Sequence, residues 1–323
     1  MALANMQVYN DEILGNTIEL LGQKIESFNA ASGGTILLNS QAFRGDFSKE
    51  SFFNQIATAQ RRVNRYGTND AQGSTSLTQA EMVGVKVAGG FGPVLFEPSQ
   101  MSYLLQNPGE AITAIAEGFA DALLADQLNT AVGCARAAVA NVAALTNDIS
   151  GSGGVTQIGM NGSHRKFGDM SAMLLADVMR GDVYHRLIGE AITNANRLFL
   201  STNVQVVNIL GKLAIISDIP ALFAAGTPDK DFVLSVVNGG IVVDNSSDII
   251  SNIETTNGKK RIETTFQADY TFGVKLKGYS WDVTNGGKSP TDAALFTGSN
   301  WDKDVAENKH TLGTLLVGSA EAA

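Results

Sequence analysis

With 323 residues, 44% of them hydrophobic, the chain can bury a sizeable core in about two domains. Charged residues make up only 17%, below the ~25% of ordinary globular chains, so much of the surface is expected to be covered by other protein. The formal net charge of −9 argues against a free, sequence-general binder of nucleic acid, which should be basic.

Residues 8–28 place Val8, Ile13, Ile18, Leu21, Ile25 and Phe28 near helical spacing, with Asp11, Glu12 and Glu19 between them. This predicts an amphipathic helix, ended by "AASGG" at 30–34. Residues 35–47 read as extended. A short helix is expected at 48–65, opened by Ser48 and closed by the basic cluster Arg61, Arg62 and Arg65, where cations suit the helix dipole. The other use of that cluster is a bridge to a carboxylate on a neighbouring subunit. After the polar loop "YGTNDAQGSTS" (66–76), the stretch "EMVGVKVAGGFGPVLFEP" (81–98) alternates Val83, Val85 and Val87 with Gly84 and Lys86. It then breaks at "AGGFGP", which predicts a glycine-tipped β-hairpin. A lone hairpin is marginal in water, so this one must rest on something.

The strongest helix is expected at 107–145. Asn107 suits the N-cap, Pro108 the first helical position, and Glu110 the place where a capping box puts its carboxylate. Ile112, Ile115, Phe119, Leu123, Leu128, Val132, Val139 and Val142 form an apolar stripe, and alanine lines much of the rest. At ~1.5 Å per residue the helix runs roughly 50 Å. From 146 the texture turns loop-rich, and a second domain is expected. Within it, 171–177 reads as a buried strand, 180–195 as a helix, and 210–222 as a strand stopped by Asp218 and Pro220. Two short strands follow in 231–245, joined around Asn238, Gly239 and Gly240.

The last major element is a strand from Ile262 to about Val283. Its even positions, Phe266, Ala268, Tyr270, Phe272, Val274 and Leu276, are apolar or aromatic. Its odd positions, Gln267, Asp269, Thr271, Gly273, Lys275 and Lys277, are polar or glycine. The even face is expected to pack on the stripe of the 107–145 helix, with a bend at Gly273 or Gly278.

Enzyme chemistry finds little support. Gly67 to Gly73 has the wrong spacing for a phosphate loop and no lysine, "GGFGPV" opens no helix, and no G-x-S-x-G elbow occurs. His164, His185 and His310 share no metal-ligand spacing and read as surface or helix histidines. The single cysteine, Cys134, excludes an internal disulfide and a zinc-finger framework, and reads as a packed thiol. No run of ~20 apolar residues suggests a membrane span, and "MALANMQVYNDEILGNT" lacks the pattern of a secretory signal. No catalytic, cofactor-binding or metal residue is assigned, and no cofactor is expected.

The order of parts resembles the major capsid proteins of tailed bacteriophages, with the Hong Kong 97 phage-type fold. "VYNDEILGNTIELLGQKI" resembles the arm helix, "EMVGVKVAGGFGPVLFEP" the extended loop, and "NPGEAITAIAEGFADALLADQLNTAV" the spine helix. "AMLLADVMRGDVYHRLI" and "LGKLAIISDIPA" resemble axial-domain patterns, "FQADYTFGVKLKGYSWD" the late peripheral strand, and "SPTDAALFTGSNWDK" the tail of some members.

The resemblance implies an α+β fold in five parts. These are an N-terminal arm (1–66), an extended β-hairpin loop (67–100), a peripheral domain with spine helix and long strands (101–146 and 255–285), an axial domain (147–254) and a C-terminal segment (286–323). It implies a structural, non-enzymatic protein that self-assembles as hexamers and pentamers into an icosahedral head shell. That shell would enclose DNA without sequence-specific binding, reside in the virion, and be assembled in the host cytoplasm without a membrane. Separate scaffolding, portal and decoration proteins are implied partners. Arg61, Arg62, Arg65, Glu81, Lys86, Phe91 and Glu97 are the expected inter-subunit contacts. The alternatives are an encapsulin-type nanocompartment shell, a tail-tube or adhesin component, and an enzyme with an unrecognised site.

Overall fold

The computed structural model describes residues 3–39, 45–53, 60–74, 76, 79–96, 108–198, 211–245, 248–258 and 260–321. Helix α1 spans Leu3–Ala31, followed by strands β1 (Ile36–Asn39), β2 (Phe47–Phe53) and β3 (Gln79–Phe96). The long helix α2 covers Pro108–Ala140. Then come β4 (Thr146–Asp148), α3 (Gln157–Arg165), β5 (Leu174–Met179), α4 (Gly181–Leu198), β6 (Leu213–Ile216), β7 (Phe223–Ala224), β8 (Lys230–Val237), β9 (Ile241–Asn245) and β10 (Ile250–Thr256). The chain closes with β11 (Glu263–Leu276), β12 (Tyr279–Trp281), the single-turn α5 (Asp292–Leu295), β13 (Trp301–Lys303) and β14 (Gly313–Ser319).

Among the described residues two six-stranded sheets form, beside the two-stranded pair β12–β13. The first runs β1-β9-β11-β3-β2, with β10 also paired to β11; the second runs β4-β14-β8-β5-β6, with β7 also paired to β8. One continuous row crosses the first sheet: Phe47 opposite Val85, Val85 opposite Val274, Val274 opposite Val243, and Val243 opposite Leu38. The turn at Asn238–Gly240 carries the chain from the second sheet to the first, because β8 and β9 lie in different sheets. Strands β9 and β10 therefore join the sheet of β11, although both begin before residue 255. The C-terminal β14 sits between β4 and β8 in the other sheet.

Helix α2 explains its own alanine content. Its N-terminal half buries Ile112, Ala116, Phe119, Ala120 and Leu123 on one side. From Thr130 to Val139 nearly every position is buried, including Ala131, Ala135 and Cys134. A helix apolar all round is a helix inside a core, and small side chains let its neighbours close on it. The even face of β11 meets α2 as its periodicity requires: Phe266, Ala268, Tyr270, Phe272, Val274 and Leu276 are all buried. Phe119 of α2 lies 6.1 Å from Phe266 and 6.3 Å from Tyr270, ring centre to ring centre. The tail is locked by Trp281 against Trp301 at 5.0 Å, each indole N–H donating to a backbone carbonyl, that of Gly287 or Leu295.

Three expectations need correction. Residues 48–53 are strand, not the start of a helix, and residues 60–64 have no regular structure. Pairing with β3 from Phe47↔Val85 to Phe53↔Gln79 satisfies this backbone instead, so tertiary context overrides local propensity. Of the hairpin expected at 81–98, residues 97 and 98 lie outside the described residues, and 81–96 are not a hairpin: β3 runs unbroken through "AGGFGP". Gly89 lies directly across from Tyr270, and a β-carbon there would come within 2.5 Å of the ring. Gly92, at φ +94°, sits where β3 shifts register between Phe266 and Ala268, as a bulge requires. These glycines make room and bend a strand; they do not turn it. The third correction concerns the extent of the long strand. It ends at Leu276, short of Val283; the bend expected at Gly273 or Gly278 falls at Gly278 (φ +80°), after which the chain resumes as β12.

Candidate functional site

The real hairpin is β2 with β3, antiparallel, and the segment joining them is residues 54–78. Ion pairs fasten the base of this hairpin to the body. Lys275 Nζ lies 2.9 Å from Glu50 Oε1 on β2 and 2.9 Å from Asp244 Oδ2 on β9. Burial alone would lower the Lys275 pKa, but hydrogen bonds to the two carboxylates overcome it and hold it above its usual value. Asn39 Nδ2 donates to Asp244 Oδ1 at 3.2 Å, completing a chain across four strands. Lys49–Glu81 (3.2 Å), Lys86–Asp248 (2.9 Å) and Lys288–Asp46 (3.0 Å) add further clamps.

Beyond this base the described part of the joining segment stands in solvent. Every described residue from Gln60 to Ser76 is exposed, including Arg61, Arg62 and Arg65. Tyr66 is 101% exposed and Val63 63%. The segment's hydrogen bonds are local: Asn64 Oδ1 accepts from Tyr66 N at 3.0 Å, and Thr68 donates to Asp70 at 2.9 Å. Of the other expected contact residues, Glu81, Lys86 and Phe91 are engaged inside the subunit. Glu81 and Lys86 make the pairs above. Phe91 is half-buried against Phe119 and Phe266, at 5.2 and 6.2 Å. Glu97 lies outside the described residues. Sequence reasoning passed over Val63 and Tyr66; the signal was two large apolar side chains set among arginines in an otherwise polar loop.

The second sheet holds a buried polar cluster. His164 Nε2 lies 3.0 Å from Asp177 Oδ1 and 3.1 Å from Ser235 Oγ, and Ser235 Oγ is 2.6 Å from the same Asp177 oxygen. These residue types also serve hydrolases, but here Ser235 donates to the carboxylate itself and all three are buried. A nucleophile needs its hydroxyl proton directed to a base and its oxygen open to substrate. The cluster pegs α3 to β5 and β8. Asp231, also buried, takes Arg180 at 2.9 Å and Arg186 at 3.3 Å. Burial pushes the Cys134 thiol pKa up, away from reactivity. Among the described residues no His, Cys, Asp and Glu are grouped to hold a metal ion, and no helix is long and apolar enough to cross a membrane.

A sheet-edge hairpin whose described loop residues are solvated and basic suits a building block that meets other copies. Residues 5–315 match the family model of the major capsid protein 13-like (Gp13-like) proteins. The chain belongs to that family of major capsid proteins. It is a structural protein of the phage virion, not an enzyme, and it self-assembles into the many-subunit head shell. Among solved structures, the capsid asymmetric unit of cyanophage Pam1 matches with a TM-score of 0.53 and 14% identity, over 88% of each chain. That likeness shows a shared fold. The capsid structure of Helicobacter pylori bacteriophage KHP30 matches with a TM-score of 0.48 and 10% identity, over 90% of this chain and 89% of the other. No curated protein matches the chain.

Proposed function

We propose that this capsid protein forms an icosahedral shell of hexamers and pentamers that encloses the phage DNA without reading its sequence. The hairpin β2–β3 with its 54–78 tip is the extended loop and reaches over a neighbouring subunit. Arg61, Arg62 and Arg65 make its inter-subunit contacts. The first sheet with α2 forms the peripheral domain, the second sheet with α3 and α4 the axial domain, and α1 the arm. Assembly takes place in the host cytoplasm, with separate scaffolding and portal proteins and with decoration proteins added outside. A net charge of −9 suits a wall that must not trap its DNA.

The observation that carries this reading is the solvated loop with three arginines on a hairpin clamped at its base. A long projecting arm without internal packing is costly in a lone molecule and useful in a lattice, where each copy covers the next. Negative-stain imaging of the expressed protein should show closed shells. Replacing Arg61, Arg62 and Arg65 together by Glu should leave a folded, unassembled protein. A folded wild-type protein that stays monomeric with its scaffolding partner would overturn the proposal. Shells filled with a protein cargo instead of DNA would select the nanocompartment reading.

A further inference from the structure

The acceptor for the loop can be located, given the capsid reading above. A groove of about 610 Å³ lies between α1 and the β1–β9 edge of the first sheet, within the size range of sites that bury a ligand. Ile18, Leu21, Ile25, Leu38 and Ile249 give it an apolar stretch, beside which Asn29, Asn39, Asn245 and Glu26 also line it. Ile18 is 54% exposed, unusual for an isoleucine beside such a cavity.

Helix α1 is acidic on its solvent side. Asp11, Glu12, Glu19 and Glu26 are all exposed. Its one basic residue, Lys24, is already paired with Asp121. Segment 61–66 reads Arg-Arg-Val-Asn-Arg-Tyr: two apolar side chains in solvent, flanked by three positive charges. Groove and segment are complementary in both respects, apolar against apolar and acidic against basic, the arrangement that steers and registers an interface.

The two surfaces cannot be the same patch. The strand order β1-β9-β11-β3-β2 puts the groove at one edge of the sheet and the loop's base at the other. Four strand spacings of ~4.8 Å separate these edges by about 19 Å. A contact between unlike patches is heterologous, and repeating it generates rings and shells.

We propose that residues 61–66 of one copy seat in the α1–β9 groove of a neighbouring copy. Val63 and Tyr66 enter the apolar floor, and the arginines pair with Glu19 and Glu26 at the rim.

Cysteine pairing in assembled shells tests this. Copies carrying Val63→Cys are co-assembled with copies carrying Gly22→Cys. A β-carbon at Gly22 meets nothing within 4 Å, and the native Cys134 is fully buried and silent. Oxidised shells should yield disulfide-linked dimers on a non-reducing gel, and shells with either variant alone should not. Glu26→Arg should cut the dimer yield at least tenfold, and adding Arg62→Glu should restore it. The rival seat is on β10 and β11, where a smaller hollow of about 180 Å³ is lined by Ile250, Glu254 and Asp269 among others. If shells assemble but Val63→Cys links to Ile250→Cys and not to Gly22→Cys, the groove assignment is overturned and the capsid reading stands. If Glu26→Arg leaves the dimer yield unchanged, the assignment also falls.

Discussion

Tyr270 Oη donates a 2.8 Å hydrogen bond to Asp126 Oδ2, joining the central strand β11 to the long helix α2. Asp126 is half-buried and Tyr270 is buried. Burial pushes the Asp126 pKa up; the bond from Tyr270 pulls it back only in part, and Asp292 nearby pushes it up again. Burial and the same carboxylate raise the Tyr270 pKa. Asp126 therefore binds its proton more tightly folded than unfolded. Its contribution to stability is full below the ordinary carboxylate range near ~4 and is lost as pH rises through the raised value. Tyr270→Phe removes the bond that favours the charged form, so the loss should steepen. The expected result is a stability deficit against wild type that grows from pH 4 to pH 7, reaching about 1–3 kcal/mol. Asp126→Asn should flatten the dependence. Thermal unfolding of the two variants over that pH range decides it; parallel curves for wild type and Tyr270→Phe would remove the bond from the account.

Gly89 and Gly90 are adjacent but should respond unequally to alanine. A β-carbon at Gly89 would press within 2.5 Å of the Tyr270 ring, while one at Gly90 meets Asp269 Oδ1 at an ordinary 3.4 Å. Gly89→Ala forces the ring off its seat over α2 and should cost about 1–3 kcal/mol. Gly90→Ala should lie within about 0.5 kcal/mol of wild type. Denaturant midpoints of the unassembled subunit measure both. Equal effects would mean the strand can shift to accommodate either.

That pair of glycines also shows how far the sequence could be read. The alternation of β11, the apolar stripe of α2 and the meeting of the two follow from residue periodicity, because each element buries one definite face. Gly89, Gly90 and Gly92 look like a turn because glycine is a common turn residue. Their actual reasons, a tyrosine ring on the next strand and a bulge, lie about 180 residues away in sequence. The helix expected at 48–65 failed for a related reason. Residues 47–53 have an ambiguous local pattern, and the partner that makes them a strand is β3, beyond the loop. The arginines stand out in the sequence as a cluster. Their place between the arms of the hairpin is not legible, because β2 is a strand only through its pairing with β3 and the glycines of β3 mimic a turn.

Phe119 is the hub of the α2–sheet contact, touching Phe91 at 5.2 Å, Phe266 at 6.1 Å and Tyr270 at 6.3 Å. Phe119→Ala should cost about 3–5 kcal/mol, the usual loss for a buried phenylalanine. Phe119→Leu should recover more than half of it. Because Phe91 and Phe266 lie on β3 and β11, hydrogen exchange should quicken in both strands and stay unchanged in β14 of the other sheet. Uniform quickening in both sheets would mean that they unfold as one unit.

Lys275 holds the hairpin base by bridging Glu50 and Asp244, whose side chains are 57% and 9% exposed. Lys275→Met frees Glu50 to solvent but leaves Asp244 nearly buried, with Asn39 as a remaining partner. The second effect dominates, because a buried charge that loses its counter-charge keeps its desolvation cost. With partial solvent access the expected loss is about 1–2 kcal/mol. Since the folded-state pKa of Lys275 is raised, the stabilisation is fully present below the unfolded value near ~10.4 and disappears as pH climbs through the folded one. The wild type should accordingly lose stability in strong alkali where Lys275→Met does not. Added salt should narrow the gap between them only slightly, because the Asp244 half of the bridge is shielded from ions. Hydrogen exchange of residues 47–53 should rise in the variant and free the loop's base. If exchange there is unchanged, the backbone pairing of β2 with β3 holds the hairpin without help from the ion pair.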